Sequence, residues 1–139
     1  MFFVSYAFGL LKPDCVKRGL VEEVMNIITL AGLQVVASKR VRLTEEQCAI
    51  VWPVCTKQFY WKAMLEFSLS EDSIVFIVKG GNATVRLKDL VGHYDPQIAK
   101  EGTIRRRFGT SKMEDIIHSA DDETAFWEQV ELFFNVLFV

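Results

Sequence analysis

The chain has 139 residues, 50% of them hydrophobic and 24% charged, so it is suited to one globular domain and differs clearly from disordered compositions. A formal net charge of -2 argues against a function that relies on global attraction to nucleic acid or to an anionic membrane. Its three cysteines form no C-x-x-C pair, which argues against a disulfide framework or a thiolate metal site and predicts a reducing, cytoplasmic location.

The first segment is apolar but is not typical of a targeting sequence. The stretch MFFVSYAFGLLKPD lacks the basic start and the small-residue cleavage site of a signal peptide. Its apolar run is also too short to span a bilayer, so no membrane association is expected. We predict a buried strand over VSYAFGLL that ends at Lys12-Pro13-Asp14.

Helical and strand periodicities follow one another in the next segment. Apolar residues recur at helical spacing over residues 20–31, and Gly32 is suited to end that helix. The period then becomes two, which predicts a half-buried strand. Its apolar face is predicted to comprise Leu33, Val35, Ala37, Val41 and Leu43.

Capping patterns mark the next helices. Thr44 followed by Gln47 is typical of a capping box and predicts a helix that stops at Trp52-Pro53. Spaced apolar residues predict a second helix near residues 58–68.

In the second half of the chain a strand and a helix are predicted on either side of one long irregular segment. SIVFIVK is predicted to be a strand, and Asn82 is predicted to cap a helix that runs through Val91. Residues 93–114 are polar and basic without periodicity. DIIHS is predicted to be a short edge or terminal strand, and Asp121 to cap a last helix.

The order strand, helix, strand, helix pair, strand, helix, strand, helix predicts a single α+β domain over residues 1–139. We predict a ferredoxin-like fold, a four-stranded, mostly antiparallel sheet with helices over one face. Loops longer than about 15 residues are uncommon and usually functional, so the segment from His93 to Glu114 is the first candidate for a site.

Three side chains could carry chemistry, although each has an ordinary alternative. Arg105 begins a run of three arginines that could grip phosphates, or could form a solvated basic loop. Lys12 lies at a strand end that could border a ligand crevice, or could be a polar strand exit. His118 could be a nucleophile, since an imidazole is largely uncharged at neutral pH, or it could be a structural histidine at a strand end. Together they favour an anionic, phosphate-bearing ligand, and no resident metal site is predicted.

Three motifs resemble the nucleoside diphosphate kinase family over almost the whole chain, from Tyr6 to Phe134. LLKPDCVKRGLVEEVM resembles the family's first-strand Lys-Pro-Asp motif and the turn and helix after it. EGTIRRRFG resembles its Pro-Gly-Thr-Ile-Arg segment. DIIHSADD resembles its Asn-Ile-Ile-His-Gly-Ser-Asp motif, and VELFF the following helix.

The resemblance implies a ping-pong kinase that moves the terminal phosphate of a nucleoside triphosphate onto His118 and then onto a nucleoside diphosphate, with Mg²⁺ on the phosphates. Lys12 and Arg105 would neutralise charge on the transferring group. Tyr60 would stack on the base. The resemblance also implies a cytoplasmic homo-oligomer, a hexamer or tetramer built from dimers, and the apolar tail from Phe133 to Val139 is compatible with such a contact.

Several positions depart from the family pattern. Asp115 stands where the family has an asparagine near the ribose, and Gln129 where it has an acid that holds the imidazole. Substrate-contacting positions are changed to Trp52, Lys88 and Tyr94, from tyrosine, arginine and threonine. Two further differences are Lys112, at an apolar position under the base, and Ala120, where a hydroxyl follows the histidine.

These departures keep two alternatives open. The chain could be a catalytically weak or inactive nucleotide-binding relative that acts as a sensor or scaffold. It could also be a nucleic-acid-binding ferredoxin-like domain that uses Arg105, Arg106 and Arg107, although the acidic net charge argues against this.

Overall fold

The computed structural model describes residues 4–134. Its strands are β1 (Val4–Leu11), β2 (Gln34–Val41), β3 (Ser73–Gly81) and β4 (Ile117–Ser119). Its α-helices are α1 (Pro13–Lys17), α2 (Val21–Leu30), α3 (Glu45–Val51), α4 (Trp61–Leu69), α5 (Ala83–Val91), α6 (Ile104–Phe108) and α7 (Glu123–Phe133), and a 3-10 helix covers Pro53–Lys57.

The sheet has the strand order β2-β3-β1-β4, and all of its neighbouring strands are antiparallel. The predicted α+β fold with an antiparallel four-stranded sheet is therefore confirmed, with β4 at one edge. In the central pair Gly9 lies opposite Phe76, whose ring crosses the glycine. A Cβ atom at Gly9 would lie 2.2 Å from the ring, so the close approach requires a residue without a side chain.

Helices cover both faces of the sheet, so the prediction that they cover one face is wrong. One apolar cluster joins β1 and β3 to α2 and α5, through residues that include Leu11, Phe76, Val24 and Leu87. The other joins alternate residues of the same strands to α3 and α7, through residues that include Phe8, Val75, Cys48, Phe126 and Val130. Both faces of the two central strands are apolar, which explains their nearly continuous hydrophobic runs.

A bulge in β2 changes the apolar face predicted for that strand. Val35 pairs with Val78 and Ala37 pairs with the preceding residue, Ile77, which leaves Val36 as the extra residue. Leu33 and Val35 consequently belong to the first cluster, whereas Ala37, Val41 and Leu43 belong to the second. The prediction of a single shared face is wrong because one inserted residue reverses the alternation.

The helix ends confirm some capping predictions and correct others. The capping box of Thr44 and Gln47 is present at α3. Asn82 does not cap α5 with its side chain, because its backbone is left-handed with φ of 53°. The carboxylate of Asp122, not Asp121, accepts the hydrogen bond from the Ala125 N–H at the start of α7.

Two short helices were not predicted from periodicity, α1 and α6, since each has only five residues. The predicted apolar tail runs from Phe133 to Val139, and residues 135–139 of it lie outside the described residues. Within the part of the chain that is described, no helix is both long and apolar enough to cross a membrane.

Candidate active site

The C-terminal end of β1, the segment before β4, and the helices α3, α5, α6 and α7 surround a cleft with a volume of about 960 Å³. Eight site residues named from the family resemblance line this cleft: Lys12, Trp52, Tyr60, Lys88, Tyr94, Arg105, Asp115 and His118. Residues up to about 100 positions apart in the chain therefore share one site.

His118 lies at the centre of β4, opposite Leu10 of β1. Its Nε2 is 2.8 Å from the side-chain oxygen of the buried Gln129 on α7. An amide oxygen only accepts hydrogen bonds, so in this arrangement Nε2 carries the proton and Nδ1 keeps its lone pair. The Trp52 ring packs edge-on to the imidazole, with centroids 5.4 Å apart, and restricts its rotation.

Burial keeps the half-buried imidazole neutral. Loss of hydration lowers the pKa of His118 to about 4, the hydrogen bond to Gln129 opposes the shift, and the positive charges of Lys12, Arg105 and Lys88 lower the pKa further. The ring is consequently uncharged throughout the neutral pH range and is available as a nucleophile without prior deprotonation.

A tight turn places Asp115 and His118 on the same side of the cleft. The Ile117 N–H bonds to the Asp115 carbonyl oxygen at 2.9 Å, and the intervening Ile116 has a φ of 78°. This is the rare, strained γ-turn geometry, which is unusual for a β-branched residue. The buried carboxylate of Asp14 accepts the Ile116 N–H at 3.1 Å, and the Lys12 N–H donates to the Ile116 carbonyl at 2.8 Å. These bonds hold the strained turn in place, and nothing in the local sequence predicted it.

Lys12 follows β1 directly, and its side chain is buried at the floor of the cleft. Its Nζ donates to Asp115 Oδ1 at 2.7 Å and to the Met113 carbonyl oxygen at 3.0 Å. The ammonium group also lies over the rings of Trp52 and Phe67, at 5.7 and 5.8 Å from their centroids. Carboxylate, carbonyl and aromatic faces thus fix one cation at a defined point.

Arg105 supplies the second cation, from α6. Its Nη1 donates to the Gly92 carbonyl oxygen at 3.0 Å, and its Nη2 donates to the Ile117 carbonyl oxygen at 2.6 Å. Its buried Nε lies 3.4 Å from Asp115 Oδ2, but it has no hydrogen-bond partner among the described residues. Burial lowers the pKa of Arg105 and the carboxylate of Asp115 opposes this, and an arginine remains charged in either case.

The other two arginines of the triplet do not line the cleft. Arg106 donates to the Gln97 carbonyl oxygen at 2.6 Å, and Arg107 pairs with Glu23 at 2.9 Å. The triplet is therefore one cleft residue and two structural surface residues.

A second ion pair closes one side of the cleft, between Lys88 of α5 and Asp121 before α7. The hydrogen bond from Lys88 is the main cause that lowers the pKa of Asp121. Asp121, predicted as a helix cap, forms this ion pair instead, which the sequence did not predict. The two residues are separated by 33 positions, so no local pattern connects them.

Aromatic side chains form the outer wall of the cleft. The Tyr60 hydroxyl lies 3.5 Å from the Cys55 sulfur, which anchors the edge of its ring. Tyr94 stacks on His93 with centroids 4.4 Å apart, and the His93 Nδ1 accepts the Asp95 N–H at 2.9 Å. The exposed ring of Tyr94 and the partly buried ring of Tyr60 offer flat faces to a planar ligand group.

The charged side chains of the cleft are balanced in number. The basic residues are Lys12, Lys88, Arg105 and Lys112, and the acidic residues are Asp115, Asp121, Asp122 and Glu128. No group of three or more His, Cys, Asp or Glu side chains that could hold a metal ion occurs in residues 4–134. A strongly anionic ligand in this cleft would therefore gain from a cation that arrives with it.

Comparison with known proteins identifies a family. The family model "Nucleoside diphosphate kinase" matches residues 5–137. The nucleoside diphosphate kinase of Erythrobacter litoralis is 34% identical over 132 residues, which cover 95% of this chain and 94% of the relative. That of Chlorobaculum tepidum is 37% identical over 128 residues, which cover 88% of this chain and 91% of the relative.

Solved structures of the same family have the same fold. The crystal structure of nucleoside diphosphate kinase from Encephalitozoon cuniculi has a TM-score of 0.90 at 26% identity, and the match covers 98% of this chain and 90% of that one. The Halobacterium salinarum nucleoside diphosphate kinase in complex with CDP has a TM-score of 0.91 at 29% identity, with 96% and 90% of the two chains covered.

Proposed function

The chain belongs to the nucleoside diphosphate kinase family and is a nucleoside diphosphate kinase, and we propose that His118 carries the phosphoryl group between its two substrates. The observation that carries this assignment is the hydrogen bond of His118 Nε2 to Gln129. That bond leaves the Nδ1 lone pair of a neutral ring near the positive charges of the buried Lys12 and the partly buried Arg105.

The transfer proceeds in two displacements. In the first, the Nδ1 lone pair of His118 forms a bond to the terminal phosphorus of a nucleoside triphosphate. The bond from that phosphorus to the bridging oxygen breaks, and the nucleoside diphosphate leaves with the electron pair. In the second, a terminal oxygen of another nucleoside diphosphate attacks the same phosphorus, the N–P bond breaks, and the free imidazole returns. The Nε2 proton remains on the ring throughout and is held by Gln129.

Lys12 and Arg105 face the charge that develops on the transferring group and on the leaving oxygen. Both are anchored by carbonyl groups, so they need little reorganisation when charge develops. Positioning and electrostatic stabilisation are the main contributions that a protein makes to phosphoryl transfer. Trp52 restricts the ring of His118, and Lys88 at the cleft wall supplies a further positive charge near the phosphates.

The substrate is expected to be the Mg²⁺ complex of the nucleotide. Mg²⁺ prefers oxygen ligands and is commonly bound through substrate phosphates with one or two carboxylates. The balanced charges of the cleft fit a metal-neutralised polyphosphate better than a bare one. The family and the donor set are thus compatible with a metal ion that enters with the nucleotide.

The aromatic wall supports a nucleobase site. Tyr60 is held by Cys55 and Tyr94 is held by His93, so both rings are oriented before a ligand binds. The Halobacterium salinarum relative was solved in complex with CDP. Stacking tolerates any base, and we expect broad nucleotide use here.

The alternative of a non-catalytic sensor or scaffold is not favoured. Matching relatives over nearly the whole chain are nucleoside diphosphate kinases. Two of the substituted positions also retain chemistry that serves the reaction, since Gln129 still accepts the imidazole N–H and Lys88 is still a cation. The hexameric or tetrameric assembly and the cytoplasmic location remain predictions.

Labelling tests the assignment of His118. Incubation with ATP labelled in its γ-phosphate is expected to give an acid-labile, alkali-stable label on the protein. The substitution His118→Ala should abolish the label. The other histidine of the chain provides a matched control, since His93→Ala should retain it. An unlabelled wild-type protein, or a label that persists in His118→Ala, contradicts the proposal.

A further inference from the structure

We propose that Asp115 acts as an internal competitor of the substrate phosphates, and that its carboxylate sets the affinity of the cleft for nucleotides. The proposal rests on the proposed function, because it assumes that Lys12 and Arg105 receive those phosphates. It concerns a residue that differs from the asparagine of the family pattern.

The geometry places the carboxylate where a phosphate group would bind. Asp115 is 2% exposed, with one oxygen 2.7 Å from Lys12 Nζ and the other 3.4 Å from Arg105 Nε. One anionic group therefore spans both cations of the cleft floor, as two oxygens of a phosphate would.

The bonds already made by Lys12 leave limited capacity for a ligand. An ammonium group has three donors, and two of them are used by Asp115 and by the Met113 carbonyl oxygen. A phosphate can accept only the third donor unless the carboxylate moves away. The aromatic rings of Trp52 and Phe67 hold the ammonium in place, so the carboxylate is the partner that must give way.

Charge adds to this competition for donors. A phosphate oxygen that accepts a hydrogen bond from Lys12 also comes close to the buried carboxylate of Asp115. Two negative charges in such proximity repel each other strongly where water is excluded. The repulsion grows with the charge of the ligand. It is therefore larger for a free nucleoside diphosphate than for its Mg²⁺ complex, and the carboxylate favours the metal-bound form.

The test compares ADP binding by the full chain with that of Asp115→Asn, by calorimetry with and without Mg²⁺. The amide has the shape of the carboxylate and still accepts a hydrogen bond from Lys12, but it is uncharged. We expect Asp115→Asn to tighten the binding of free ADP about tenfold, and that of the Mg²⁺ complex by a smaller factor.

Asp121→Asn is the matched control, because it removes the same charge from the same cleft but is bonded to Lys88. It should tighten ADP binding less than Asp115→Asn does. An unchanged or weaker affinity in Asp115→Asn, or an equal gain in both variants, overturns the proposal. These results are independent of the labelling of His118, so they do not decide whether His118 carries the phosphoryl group.

A structure of the unaltered chain with ADP provides a test that does not depend on the folding of a variant. The Lys12 Nζ to Asp115 distance is expected to exceed the ion-pair limit of about 4 Å when the phosphates are bound. A bound phosphate on Lys12 together with an intact 2.7 Å pair overturns the competition.

Discussion

The hydrogen bond between His118 and Gln129 leads to the sharpest prediction. Nε2 lies 2.8 Å from the amide oxygen, and Gln129 is 4% exposed, so the bond is short and shielded from water. Replacement by the nearly isosteric acid, Gln129→Glu, would turn a neutral bond into a charge-assisted one at the same place. Positive charge develops on the imidazole as Nδ1 attacks phosphorus, and the carboxylate would stabilise that charge.

The expected gain follows from the strengths of the two kinds of bond. A neutral hydrogen bond contributes about 1 kcal/mol net, and a bond to a charged group contributes roughly twice that. We therefore expect a gain of about 1 kcal/mol in the transition state, which corresponds to a rate increase of about fivefold. The cations Lys12 and Arg105 nearby reduce the penalty for burial of the new carboxylate.

Single-turnover labelling with γ-labelled ATP measures this rate directly, because it isolates the formation of the N–P bond from product release. The apolar variant Gln129→Met should be slower than the unaltered protein, since it removes the acceptor. Glu131→Gln on the same helix is exposed and serves as a control that should leave the rate unchanged. A folded Gln129→Glu variant that reacts no faster than the unaltered protein would refute the reasoning.

Three further predictions concern pH and packing. Because the pKa of His118 is lowered to about 4, protonation of His118 should not reduce the rate of labelling between pH 8 and about pH 5. A decline of the labelling rate centred near pH 6.5, the ordinary pKa of histidine, would contradict this. The same lowered pKa should make the fold less stable in acid. The unfolded chain binds a proton below about pH 6.5 that folded His118 binds only near 4, and each pKa unit corresponds to about 1.4 kcal/mol. Denaturation curves should therefore show a loss of about 3 kcal/mol in the free energy of unfolding over this range, which is absent in His118→Asn. Gly9→Ala should destabilise the fold by about 2 kcal/mol in urea, since its Cβ meets the Phe76 ring, and a double variant with Phe76→Leu should cost less than the two single changes added together.

Local patterns in the sequence predicted most of the elements and named the candidate site residues. Alternation and helical spacing report which residues are buried next to one another along the chain, so they located the strands and most helices within a few positions. The capping box could be predicted from the sequence because its two partners, Thr44 and Gln47, lie within one helical turn. The motifs around Lys12, Arg105 and His118 identified a family, and all three residues line the cleft.

The ion pairs between those residues could not be predicted and became visible only in the folded chain. Asp115 meets Lys12 across 103 positions, and Lys88 meets Asp121 across 33, distances over which local patterns carry no information. The bulge in β2 also could not be predicted from the strand alone. The alternation of buried and exposed residues reverses there because of how β2 pairs with β3. Local spacing predicts burial, whereas ion pairs between distant segments depend on the path of the whole chain. The pair of Lys12 and Asp115, on which our proposal about phosphate binding rests, is of that kind.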